Sequence, residues 1–100
     1  MDKWVNIIRR RYLEYIANCT VIELALSDMV NELKQPPINL NASFEKVTGF
    51  EIAWKFSIGS KSILLPYKEI SGAYNLQKMK DFDISPEEFI IRYFLEKFKW

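Results

Sequence analysis

One periodic stretch near the start of the chain limits how the whole sequence can fold. From Lys3 to Lys34 there is no glycine or proline, and apolar side chains recur at alternating steps of three and four residues. This stripe consists of Val5, Ile8, Tyr12, Tyr15, Cys19, Ile22, Leu26, Met29 and Leu33. The spacing predicts one face of a long α-helix, and its mean period of about 3.5 residues is that of a coiled coil.

The length of this helix raises a geometric question. Thirty helical residues span about 45 Å, whereas a compact domain of this size has a radius of gyration of about 13 Å. The helix therefore either projects and pairs with another chain, or it breaks. The weak region is residues 18–28, where Asn18 and β-branched residues lower helix propensity and Ser27 could cap a second helix. A short strand from Cys19 to Leu24 is a rival interpretation.

The coiled-coil spacing predicts self-association. We expect a homodimer in which the stripe forms the contact between two long helices. The residues predicted to make this contact are Val5, Ile8, Tyr12, Tyr15, Cys19, Ile22, Leu26 and Met29.

Charge divides the same helix into two halves. Residues 1–11 carry +3, from Lys3 and three successive arginines against Asp2, and residues 12–35 carry −3. Arg9, Arg10 and Arg11 spread over about 200° of the helix circumference, so they cannot all join one ion pair. Guanidinium groups suit bidentate contact with carboxylate or phosphate. We predict that these arginines bind a partner, with a solvated helix end as the alternative.

The middle of the chain predicts a β-hairpin. Pro36-Pro37 ends the first helix, and residues 38–48 fit either a single helical turn capped by Ser43 or a short strand. From Phe50 to Ile58 apolar and polar residues alternate, which is typical of a strand with one buried face. Gly59-Ser60 suits a two-residue type II′ turn, and the return strand runs to Tyr67. The predicted hairpin therefore covers about residues 50–67.

The last third of the chain predicts a turn, an ambiguous segment and a helix. Ser71-Gly72 indicates a turn, and residues 73–80 fit a strand or a short helix. Ser85, Pro86 and Glu88 form a capping-box pattern that predicts a helix start. The inner face of this C-terminal helix is predicted to be Phe89, Ile90, Tyr93, Phe94 and Phe98. We therefore expect a single α+β domain over residues 1–100, with both helices packed on a small antiparallel sheet.

The composition argues against an enzyme. The chain has no histidine and one cysteine, so it lacks the commonest general base and any ordinary ligand set for zinc, haem or iron–sulfur centres. Glu87 and Glu88 are explained as charges at a helix start, and the residues after Gly59 lack the full phosphate-loop pattern. We expect no catalytic residues, cofactor, metal or small-molecule substrate.

Location and partners follow from charge and hydropathy. No uncharged apolar run approaches the roughly 20 residues of a membrane span, and the start of the chain does not resemble a signal peptide. We expect a cytoplasmic protein without a membrane partner. The net charge of +1 disfavours a general polyanion binder.

The excess of apolar and aromatic side chains in so small a body predicts a protein-binding module. We expect an adaptor or inhibitor that docks on a larger macromolecule, with an unidentified protein as its partner. The alternative is a nucleic-acid-binding regulator that uses Arg9 to Arg11. Trp54 and Phe56 would then suit a stacking platform, although the sheet also needs them for its core.

Overall fold

The computed structural model of the chain describes residues 3–37, 39–49 and 51–99. A long helix is followed by three strands and two further helices. The elements are α1 (Lys3–Leu33), β1 (Ala42–Val47), β2 (Ala53–Ile58), β3 (Lys61–Pro66), α2 (Tyr67–Lys80) and α3 (Pro86–Lys97). The predicted α+β class with a small antiparallel sheet is confirmed.

Helix α1 is continuous from Lys3 to Leu33, so the alternative of a break near residues 18–28 does not apply and the rival strand from Cys19 is wrong. The reason is packing: Cys19, Ile22 and Leu26 are buried in this same region. Burial of an amphipathic face contributes more to helix stability than intrinsic propensity does. The helix ends before Pro36-Pro37 as predicted, and the chain turns back with the amide of Leu40 donating to the Leu33 carbonyl at 2.9 Å.

The sheet has the order β1-β2-β3, with both pairs antiparallel. Strand β1 occupies the segment for which the sequence left a helical turn or a strand open. Strand β2 begins at Ala53, later than predicted, and Phe50 lies outside the described residues. Gly59 has a positive φ of +61°, and the φ of Ser60 is not positive. That combination is the one a type II′ hairpin turn requires.

The inward face of the sheet supplies the centre of the core. Trp54 and Phe56 of β2 are fully buried, and Phe56 packs against Phe94 of α3 with ring centroids 4.7 Å apart. Helices α1 and α3 cover this face, so both predicted helices lie where the alternation of β2 requires an apolar cover.

Helix α2 replaces two sequence-based expectations and decides between two alternatives. The return strand ends at Pro66 instead of Tyr67, and the predicted turn at Ser71-Gly72 lies inside the helix. Residues 73–80, which fitted a strand or a short helix, are helical. Tyr67, Ile70 and Tyr74 all belong to the core or pack against it. Their spacing of three and four residues is helical, and it outweighs the cost of about 1 kcal/mol for a glycine inside a helix.

Helix α3 starts where the sequence predicts. The amide of Glu88 donates to the Ser85 hydroxyl at 3.1 Å, and Pro86 occupies the first turn. The Glu88 carboxylate pairs with Arg92 at 2.6 Å, so in this structure it serves an i,i+4 ion pair. The predicted inner face, Phe89 to Phe98, is buried.

Candidate interaction surface

Helix α1 is longer than the domain on which it packs. Its first fully buried residue is Cys19, and before that point only Val5 and Tyr15 are even partly buried. The chain measures 59 × 32 × 20 Å and its radius of gyration is 15.5 Å, above the roughly 13 Å of a compact domain of this length. Residues 3–16 therefore form a projecting segment, here called the arm.

One face of the arm continues the line of the core. Trp4, Ile8 and Tyr12 each stand eighteen residues before a buried residue, namely Ile22, Leu26 and Val30. Eighteen residues are about five helical turns, so each pair points in the same direction. No described residue covers this front face of the arm, and the three side chains are 68%, 54% and 60% exposed.

The opposite side of α1 carries a second apolar line. Leu24 stands two residues before the buried Leu26 and so points about 200° away from it. Leu13 and Leu24 are 66% and 62% exposed, and Ala17 and Thr20 lie exposed between them. These four residues are called the outward face of α1. Their spacing of four, three and four residues is visible in the sequence, but the longer stripe on the core side masked it.

The three arginines fall on different sides of the arm. Arg11 precedes Ile22 by eleven residues, about three turns, and so borders the front face. Asp28 follows the buried Leu26 by two residues and so points away from the core. Arg10 precedes Asp28 by eighteen residues, about five turns, and therefore lies towards the outward face as well. Among the described residues the ion pairs join other side chains. The arginines are therefore exposed and without a carboxylate partner within the described part of the chain.

Tyr67 fixes the point where the arm leaves the domain. Its ring packs edge-to-face on Tyr15 at 4.8 Å, and its hydroxyl accepts a hydrogen bond from Asn18 Nδ2 at 3.2 Å. Clefts of about 350 Å³ open on both sides of it, one towards Tyr74 and Phe89 and the other towards Thr48 and Ile52. The front face of the arm thus runs into a recessed corner of the domain.

The residues predicted to mediate self-association divide between two environments. Val5, Ile8 and Tyr12 lie on the arm, whereas Cys19, Ile22 and Leu26 are buried in the core of the same chain and Tyr15 and Met29 pack against it. Leu26 has no exposed surface at all. Buried side chains have no area left for a second chain, so the seam predicted from Val5 to Met29 is open only over its first part.

Cys19 is a free cysteine and is buried. Burial raises the pKa of the Cys19 thiol, with a smaller opposing effect from its hydrogen bond with Tyr15, so the thiol is protonated at neutral pH. In the described ranges no three Cys, Asp or Glu side chains are grouped to hold a metal ion. Trp54 donates from Nε1 to Glu23 at 3.1 Å and is buried, so it cannot stack on a nucleic-acid base.

Of the two terminal tryptophans, Trp4 is exposed on the arm and Trp100 lies outside the described residues. Over residues 3–37, 39–49 and 51–99 no helix combines the length and the hydropathy needed to cross a membrane.

Comparison of the chain with protein-family models, with curated proteins and with solved structures found no match in any of the three.

Proposed function

We propose that the chain is a small non-catalytic protein-binding module of the adaptor or inhibitor type, which acts as a homodimer and docks on a larger protein. The observation that carries the proposal is the exposed front face of the arm. A helix that held only the core together would not need to extend about four turns past it, with Trp4, Ile8 and Tyr12 still on the core-side line.

The chemistry of this face suits a protein partner. Tryptophan, tyrosine and arginine are the residue types that dominate binding energy at protein interfaces. The arm presents one of each in Trp4, Tyr12 and Arg11, on a helix whose backbone is already ordered. Pre-ordering lowers the entropy cost of association. The arm carries Lys3 and three arginines against Glu14, so the partner surface is an apolar patch bordered by carboxylates.

A nucleic-acid-binding regulator is the second candidate. The three arginines, which have no ion-pair partner among the described residues, favour it, because phosphate contacts need exposed guanidinium groups. The burial of Trp54 and Phe56 and the near-zero net charge weigh against it, since they remove the stacking platform and the basic surface typical of such proteins.

Affinity capture from the source lysate, with and without nuclease, separates the two candidates. The arm variant replaces Trp4, Ile8 and Tyr12 by Ser. The matched control replaces Leu76 by Ser, because Leu76 is comparably exposed at 66% but belongs to α2 and not to the arm. We expect one protein to be retained by the unmodified chain and by the control, to be insensitive to nuclease, and to be lost with the arm variant.

Other outcomes decide against the proposal. Retention that nuclease abolishes, and that is lost when Arg9, Arg10 and Arg11 are replaced by Gln, supports the nucleic-acid candidate. Equal retention by the folded arm variant and the unmodified chain shows that the arm is not the docking site.

A further inference from the structure

The outward face of α1 lies on the side of the helix that faces away from the domain. Its four residues, Leu13, Ala17, Thr20 and Leu24, are flanked by Arg10 near one end and Asp28 near the other. Arg10 and Asp28 are eighteen residues apart, about five turns, so they lie on one line along the helix. Within the described part of the chain, Asp28 forms no ion pair.

Helix α1 is also divided by charge from end to end. Up to Arg11 it carries Lys3 and three arginines, and beyond Arg11 it carries only acidic charges, namely Glu14, Glu23, Asp28 and Glu32. A second copy aligned in parallel would place arginines beside arginines and carboxylates beside carboxylates. An antiparallel second copy places each basic half beside an acidic half.

We infer that two copies of the chain associate through the outward faces of α1, antiparallel and over the full helix length. Leu13 of one copy lies opposite Leu24 of the second copy, and Ala17 lies opposite Thr20. This register brings Arg10 beside Asp28 of the second copy, and the two-fold symmetry repeats both contacts. The inference deepens the homodimer of the proposed function and leaves the docking face of the arm free.

Packing and electrostatics support this register. Small residues at the crossing point, Ala17 and Thr20, let two helices approach to about 8–10 Å. Glu14 stands at the height of Glu23 of the second copy, but Glu23 points towards the core, where it accepts from Trp54 and pairs with Lys46. The two carboxylates are therefore turned away from each other.

The area of the outward face suits a weak contact between two copies. Helix α1 has 31 residues and is about 46 Å long; a contact strip about 10 Å wide buries roughly 450 Å² on each copy. The total of roughly 900 Å² lies near the lower limit of about 1,000 Å² for specific interfaces. We therefore expect a dimer that dissociates on dilution.

Charge reversal tests the pairing in the full chain. Sedimentation equilibrium over micromolar concentrations should show a dimer for the unmodified protein. Arg10→Asp and Asp28→Arg should each weaken dimerisation by roughly tenfold or more, because each removes two symmetry-related attractions and creates two repulsions. The double variant should restore it, since it exchanges the charges of each pair. A double variant that is no better than the single ones overturns the register.

Cysteine cross-linking tests the direction of the helices. The double variant Leu13→Cys and Leu24→Cys should oxidise to a covalent dimer, whereas Leu24→Cys alone should not. Covalent dimer from Leu24→Cys alone indicates parallel helices and overturns the inference, as does a monomer at all concentrations. The native Cys19 is buried and does not compete.

Two further variants separate this inference from the docking proposal. Leu24→Asp should abolish the dimer without unfolding the chain, because Leu24 contacts solvent in the monomer, and Leu76→Asp is the matched control. Trp4→Ser with Ile8→Ser should leave the dimer intact, since those residues lie on the front face. If it dissociates the dimer while Leu24→Asp does not, the seam lies on the front face and the inference fails.

Discussion

Tyr93 lies on the inner face of α3, buried against the core, with its hydroxyl hydrogen-bonded to the Glu69 carboxylate. Burial is the main reason that the pKa of Tyr93 lies well above its usual range, and the hydrogen bond to the Glu69 carboxylate is the second reason. On the other side, hydrogen bonds from Lys97 and Tyr93 lower the pKa of Glu69. The stability of the fold should therefore respond to alkaline pH through Tyr93 and to acidic pH through Glu69.

Alkaline pH should destabilise the fold through Tyr93. In the unfolded chain its phenol loses a proton near pH 10, while the folded chain holds it neutral. The free energy of unfolding should therefore fall above about pH 10, by up to about 1.4 kcal/mol per pH unit from this residue. Denaturant titrations at several alkaline pH values measure the slope. Tyr93→Phe should reduce it, and Tyr12→Phe, on the exposed arm, should not; equal slopes would contradict the assignment.

The cap at Ser85 gives a second residue-scale prediction. Ser85→Ala removes the acceptor for the Glu88 amide and should lower the free energy of unfolding by about 0.5–2 kcal/mol. Ser85→Asp supplies another cap acceptor and should retain most of that stability. Urea denaturation of the three proteins decides the matter: a midpoint that does not move in Ser85→Ala would place the source of stability elsewhere.

At the scale of elements, α1 is one helix with two roles. From Cys19 onwards its core side is buried against the sheet and α3, and before that it extends as the arm, which contacts the domain where Tyr15 packs on Tyr67. The same residue type on the same side of the helix therefore has a different energetic weight in each half.

Two isoleucines on the core side of α1 measure this difference. Ile22→Ala opens a cavity in the core and should cost about 2–5 kcal/mol. Ile8→Ala removes a side chain from an exposed site and should change the free energy of unfolding by less than about 0.5 kcal/mol. Chemical denaturation of both variants gives the comparison. A large loss in Ile8→Ala would mean that the arm is covered in the folded protein.

At the scale of the whole molecule, the elongated shape follows from the arm, and in the dimer that we infer the charge division of α1 sets how two molecules meet. Attraction between exposed charges is screened by salt, with a Debye length of about 10 Å at 0.1 M. The contact between outward faces contains only a short apolar centre, so its stability should depend on its charged ends.

Dimerisation should therefore weaken as ionic strength rises. Between about 0.05 M and 0.5 M sodium chloride, we expect the dissociation constant of the dimer to increase severalfold. Sedimentation equilibrium at each salt concentration measures it. The variant with Arg10 and Asp28 both replaced by Gln is the control, and it should show a smaller dependence. Association that strengthens with salt would indicate an apolar contact instead.

Much of the local structure of this protein could be predicted from its sequence. The stripe of α1, the Gly59-Ser60 turn and the cap at Ser85 depend on a few neighbouring residues, and each was predicted with its position. The first part of helix α2 was missed because Ser71-Gly72 suggested a turn, while the apolar spacing at Tyr67, Ile70 and Tyr74 was too short to outweigh that signal. Residues 73–80 stayed open between a strand and a short helix. The sequence showed the cluster of three arginines, but it did not show which arginine borders which face of the helix.

Tertiary structure alone decided where the stripe of α1 stops being core. Its spacing is the same before and after Cys19, and no residue marks the boundary. Burial begins there because the sheet and α3 reach only that far along the helix, and their reach depends on contacts such as Phe56 with Phe94 that join residues distant in sequence. Periodicity reports which side of a helix is apolar, whereas only packing determines whether that side meets its own chain or another.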